Sequence, residues 1–140
     1  MVHEEHLQIV AIMENVEKAC EFVAGFARSS GFSDEMVHRC WISLEEICAN
    51  VIEHGYQYNG QNEVIDVVCR AYTDHIVIIV MDDAKPFNPL DKEDPNPHTS
   101  LDERQVGGWG IAIVKKFMDS VTYQHLNNRN QLILEKYYAH

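Results

Sequence analysis

A chain of 140 residues is about the size of one domain and long enough to bury a core, so a single domain over residues 1–140 is expected. Its 46% hydrophobic and 24% charged residues are near globular averages and exclude disorder or a fibrous fold. Eleven Lys and Arg against 22 Asp and Glu give a net charge of −11, which argues against direct nucleic-acid binding or an anionic membrane surface and requires any phosphate to be held locally.

Residues 6–12 read as a short opening strand, after which Val16, Cys20, Val23, Ala24 and Phe26 recur at helical spacing. That helix should end near Ser29 to Gly31, where glycine can take a positive φ. Ser33, followed by Asp34 and Glu35, is an N-cap with first-turn acids. It opens a long second helix with the apolar stripe Val37, Cys40, Trp41, Leu44, Ile47, Cys48 and Val51, expected to stop around Gly55. Beyond a polar turn at residues 59–62, Glu63 to Tyr72 and His75 to Met81 are rich in β-branched residues and separated by Thr73 and Asp74, which reads as a hairpin of buried strands.

All four prolines (Pro86, Pro89, Pro95, Pro97) fall in the charged stretch Asp82 to Arg104, which cannot be a regular helix or a central strand. A loop this long is either a lid over a binding site or ordinary disorder. A third helix begins at Gly107 to Gly110, with Ile111, Val114, Phe117 and Met118 on one face and Lys115 and Lys116 near its end. Two strands follow, Val121 to Leu126 and Gln131 to Tyr138, joined through residues 127–130. The order β-α-α-β-β-loop-α-β-β predicts an α+β two-layer sandwich: a mainly antiparallel, mixed five-stranded sheet covered by three helices.

No apolar run is long enough to span a bilayer, and Met1 to Glu5 lacks the charged head of a signal peptide, so a cytoplasmic location is expected. Cys20, Cys40, Cys48 and Cys69 lie in apolar segments without a C-x-x-C pair, which suits reduced core thiols. The histidines form no H-x-x-x-H pair with a third ligand, so a metal site built from protein side chains alone is not expected.

Three segments carry residues suited to chemistry. Glu46 and Asn50, four apart, share one face of the second helix. They form either a solvated patch or a pair in which Asn50 holds a hydrated Mg²⁺ and Glu46 takes a proton from a hydroxyl. At the end of the third strand, Asp82 or Asp83 either starts a turn or accepts a hydrogen bond from an exocyclic amine such as that of adenine. Gly107, Gly108 and Gly110 flank Trp109 at the start of the third helix, where unpaired N–H groups can seat a phosphate, although such a stretch is also a common flexible junction. Neither a P-loop nor a dinucleotide-binding unit fits this pattern.

In this order, and joined by a lid-like loop, these segments resemble the GHKL (Bergerat-fold) ATPase superfamily, whose ATP-binding domain is shared by histidine kinases, gyrase and Hsp90-type chaperones. Glu46 to Asn50, continuing to His54, Gly55 and Tyr56, looks like its N box. Asp82 with Pro86 and Phe87 looks like its G1 box, and Gly107, Gly108 and Gly110 look like its G2 box. Leu101 to Ile113 and Asn130 to Lys136 resemble the bacterial anti-sigma-factor serine/threonine-protein kinases within that superfamily.

The resemblance implies ATP and Mg as cofactors, Glu46 as general base, Asn50 as the Mg²⁺ ligand, and Asp82 as the acceptor for adenine. Ala84 and Phe87 would adjoin the nucleotide, under a lid of about residues 84–106, and the three glycines would wrap its phosphates. It implies a kinase that binds a sigma factor or other regulator and phosphorylates a small antagonist protein, with a homodimer as a further expectation. The sequence departs from the family pattern at Ala84, where a glycine is expected and a methyl group could crowd the nucleotide. That departure gives weight to a second reading, a non-catalytic nucleotide-binding module that controls a protein partner through its lid. Trp109 is larger than the leucine expected between the glycines, and Arg104 reads as either a phosphate contact or a solvated loop residue.

Overall fold

A computed structural model describes residues 1–91 and 110–138. The elements are β1 (His3–Val10), α1 (Val16–Ser29), α2 (Asp34–Asn50), β2 (Val64–Ala71), β3 (His75–Asp82), α3 (Gly110–Phe117), β4 (Ser120–Leu126) and β5 (Arg129–Tyr137). Short 3-10 turns precede α1 and follow β3, and α2 runs on as a π-helical segment, Val51–Gly55.

Each helix forms where periodicity and end chemistry agree. The Ser33 hydroxyl accepts the Met36 N–H at 3.3 Å, and Asp34 and Glu35 complement the positive end of α2. Gly31, at φ +100°, lets the chain leave α1 and turn into α2. The strands lie in the order β1-β2-β3-β5-β4. All four pairings are antiparallel, so the expected mixture narrows to a wholly antiparallel sheet among the described residues. The physical reason is the place of β5: β3 and β4 point the same way, but β5 returns between them and pairs with both.

One sheet face meets the helices. Leu44 and Ile47 of α2 are buried with Ile65, Ile76, Ile78, Val80 and Leu134 of the sheet, and each such side chain contributes roughly 1.5–3 kcal/mol on leaving water. On the opposite face Val68, Val77 and Ile79 form a smaller cluster flanked by Tyr72, Met81 and Ile133. All four cysteines are buried and free. Burial pushes the Cys40 thiol up to about 11 and that of Cys20 up to about 12, as suits inert core residues.

Two boundaries differ from expectation. The first strand starts earlier, because backbone pairing with β2 reaches back to His3 opposite Ala71 through polar residues that hydrophobic alternation does not register. The β4–β5 turn is only Asn127 and Asn128, both at positive φ as a two-residue hairpin requires, so Arg129 and Asn130 are not turn residues and open β5 instead.

Candidate functional site

The last turns of α2 present Glu46 and Asn50, both half-buried, on one face. Past Asn50 the helix widens, and the Tyr56 N–H reaches back five residues to the Val51 carbonyl at 2.9 Å. The Tyr56 hydroxyl donates to the Val64 carbonyl at 3.0 Å and accepts the Asp83 N–H at 2.8 Å. One phenol thus ties the end of the helix to the start of β2 and the end of β3. Burial pushes that phenol up to about 12.

Alternation along β3 separates the two candidate acids. Asp82 points to the helical side and is 6% exposed, whereas Asp83 is exposed and accepts the Arg129 Nε–H at 2.8 Å. Arg129 also reaches Asp66 on β2 at 2.5 Å. Oδ1 of Asp82 accepts the Ala84 N–H and the Asn130 Nδ2–H, each at 2.9 Å. Its Oδ2 has no hydrogen-bond partner among the described residues. Burial raises the Asp82 pKa, with the bonds from Asn130 and Ala84 opposing it, Asp83 adding to it, and Arg129 lowering it.

Asn130, directly opposite Asp82 in the β3–β5 register, is the residue that sequence reasoning missed. It is 5% exposed. Its Nδ2 donates to Asp82 and also to the carbonyls of Ala84 at 3.1 Å and Lys85 at 3.2 Å, while its Oδ1 accepts from the Phe87 N–H at 3.2 Å and from the Tyr123 hydroxyl. One amide therefore fixes the acid and the backbone that leads away from it. A signal was available: Leu134 and Leu132 face the core, and a period of two reaches Asn130.

These side chains surround a cavity of about 380 Å³, walled by Ile47, Val80, Phe87 and Leu132 with Asn50, Asp82 and Asn130 as its polar points. A second opening of about 610 Å³, lined by Glu45, Glu46, Glu53 and Gly110, shares Asn50 with the first. The Asn50 amide makes no hydrogen bond among the described residues, so its oxygen is available to a hard cation. The Glu46 carboxyl is held above the usual range by burial, then by Glu45 and Glu53, which suits a proton acceptor.

Glu46, Asn50, Asp82, Phe87 and Gly110 thus come together around two adjoining openings. Ala84 lies beside them and does not line the cavity: a methyl group added at Gly55 would lie 3.3 Å from its Cβ, so the side chain points toward Gly55. It acts through its backbone, as the N–H that Asp82 accepts. The described part of the expected lid runs to Asp91 and includes the 3-10 turn Pro89–Asp91, steadied by the Leu90 N–H on Asn88 Oδ1 at 2.9 Å. Arg104, Gly107, Gly108 and Trp109 lie outside the described residues.

Known proteins share this sequence pattern and fold. The sequence model of the histidine kinase-like ATPase domain matches residues 9–136. The chain is 26% identical over 106 residues to the serine-protein kinase RsbW of Bacillus licheniformis, a match covering 73% of the chain and 66% of that relative, just under two thirds of its length. It is 27% identical over 121 residues to the anti-sigma F factor of Oceanobacillus iheyensis, covering 86% of the chain and 82% of the relative. In three dimensions it resembles the RsbU and RsbW domains of Rv1364c from Mycobacterium tuberculosis, with a TM-score of 0.68 and 13% identity over 96% of this chain and 32% of that one.

Proposed function

The chain belongs to the histidine kinase-like ATPase family, and on that premise we propose that it is an ATP- and Mg²⁺-dependent serine/threonine-protein kinase of the partner-switching kind. In this reading it binds a sigma factor or another regulator in the cytoplasm and phosphorylates a small antagonist protein. The observation that carries it is the shared cavity: Asn50 from α2 and Asp82 from β3, remote in sequence, face one space with Glu46 a turn away.

Each residue has a task that its surroundings permit. Asp82, its Oδ1 already engaged, offers Oδ2 as an acceptor for the exocyclic amine of adenine, while Ile47, Val80, Leu132 and Phe87 exclude water from the base. Asn50 holds Mg²⁺ through its amide oxygen, and the metal supplies charge neutralisation at the phosphates. Glu46 takes the proton of the attacking seryl or threonyl hydroxyl, a role for which its raised pKa brings it nearer neutral pH. Ala84 is not among the residues that line the cavity, its methyl lying beside Gly55, which supports nucleotide binding despite the departure from glycine. A homodimer belongs to the same proposal, with the helix-free sheet face around Val77 and Ile79 as its interface; sedimentation at a single monomer mass would remove it.

The test is calorimetric titration with ATP and ADP in Mg²⁺, followed by phosphoryl transfer to the candidate antagonist. Glu46→Gln should bind nucleotide as the parent does and lose transfer by at least about 100-fold. A variant that keeps full regulatory action on the partner without transfer would favour the non-catalytic module. No nucleotide binding by folded protein would remove both readings.

A further inference from the structure

We propose that Gly110 is a positioning residue for the general base: the missing side chain at the first position of α3 forms the seat in which the Glu46 carboxylate lies. The inference rests on reading Glu46 as that base and assigns Gly110 a task other than the phosphate contact that the family resemblance implies. A Cβ built on Gly110 would stand 2.4 Å from Oε2 of Glu46, 3.3 Å from its Cδ and 3.5 Å from its Cβ. No residue but glycine leaves that volume to the carboxylate.

What would yield to an added methyl group follows from how each side is held. Helix α3 is anchored from its middle to its end: Val114 is fully buried, the Arg39 guanidinium lies 5.5 Å above the Phe117 ring, and the buried Lys136 donates to the Phe117 carbonyl at 2.8 Å. The Glu46 carboxylate is the free end of a flexible side chain with no hydrogen-bond partner among the described residues. The carboxylate therefore moves and the helix stays. Among the described residues its present place is favoured only weakly, since burial disfavours its charge and Glu45 and Glu53 on the same stretch of chain repel it. An alanine would leave the fold and the nucleotide cavity intact while turning the base away from the acceptor hydroxyl.

The two assignments for Gly110 predict different losses. If it seats Glu46, Gly110→Ala keeps its affinity for ATP with Mg²⁺ within about threefold and loses kcat by at least about 100-fold at unchanged KM for ATP, the scale of a general base removed. If the glycine serves the phosphates alone, affinity and turnover fall together, which overturns the proposal.

A second measurement does not depend on activity. Gly110→Ala should shift Tm less favourably in the parent background than in a Glu46→Ala background, because only in the parent must the carboxylate be displaced. In a Glu46→Ala background the same change should leave Tm unchanged or raise it, since alanine is the better helix former. Equal Tm shifts in both backgrounds would overturn the seat. Should the parent protein transfer no phosphate, the base assignment fails, yet the pair of Tm shifts still decides whether Gly110 seats the side chain.

Discussion

Burying the Asp82 carboxylate works against folding, and the bonds from Asn130 and Ala84 offset only part of that cost, because the pKa stays raised above its ordinary value of 3.8. A raised pKa means that the fold prefers the protonated acid. The resulting stabilisation is complete below the ordinary value and is lost as pH rises through the higher folded value, so at neutral pH the ionised Asp82 is a net liability. Asp82→Asn keeps an oxygen for both donors and removes the charge. Its Tm should exceed the parent's at pH 7, with the gain shrinking as pH falls through the raised folded pKa and gone by about pH 4. The same substitution turns an amide N–H₂ toward the adenine amine and should weaken ATP at least about tenfold. Thermal scans from pH 4 to 8 beside a nucleotide titration check both halves. A variant no more stable than the parent at pH 7 would mean that the carboxylate is better solvated than its 6% exposure implies.

Between elements, the Tyr56 hydroxyl is the joint that places α2 against the strand ends. Tyr56→Phe preserves the ring but strips the Val64 carbonyl and the Asp83 N–H of their partner. Denaturant unfolding should register a loss of about 1–3 kcal/mol, with ATP affinity falling several-fold because Asp82 adjoins the loosened Asp83. An unchanged affinity would show that Asn130 and the Ala84 N–H hold the acid in place without Tyr56. The helices and the β2–β3 hairpin were legible in the sequence because their periodicity and caps are local: Ser33, Gly31 and the stripe from Val37 to Val51 each act within a turn or two. Glu46, Asn50 and Asp82 were legible for the same reason, each sitting in a short motif. The π-helical segment was not, since the choice between four- and five-residue hydrogen bonds is made by what Tyr56 reaches across the fold. Asn130 was hidden differently: asparagine beside Asn127 and Asn128 suggests a turn, and only the pairing of β5 with β3 brings it to Asp82.

Over the whole molecule the charge of −11 repels a polyphosphate, and Glu45, Glu46 and Glu53 concentrate that repulsion at the opening beside Asn50. On the proposed reading, Mg²⁺ would offset that repulsion, and the metal should be needed for binding as well as for transfer. Chelating Mg²⁺ is expected to weaken ATP by at least about tenfold, close to 1.4 kcal/mol, and ADP by less, because ADP carries fewer charges. Raising salt from about 0.1 to about 1 M shortens the screening length from about 10 to about 3 Å. Metal-free ATP should then regain part of its affinity, while the Mg²⁺ complex, partly neutralised already, changes less. Titrations of both nucleotides at two salt concentrations, with and without chelator, separate these terms. An ATP affinity indifferent to chelation and to salt would mean that the phosphates lie away from the opening lined by Glu45, Glu46 and Glu53.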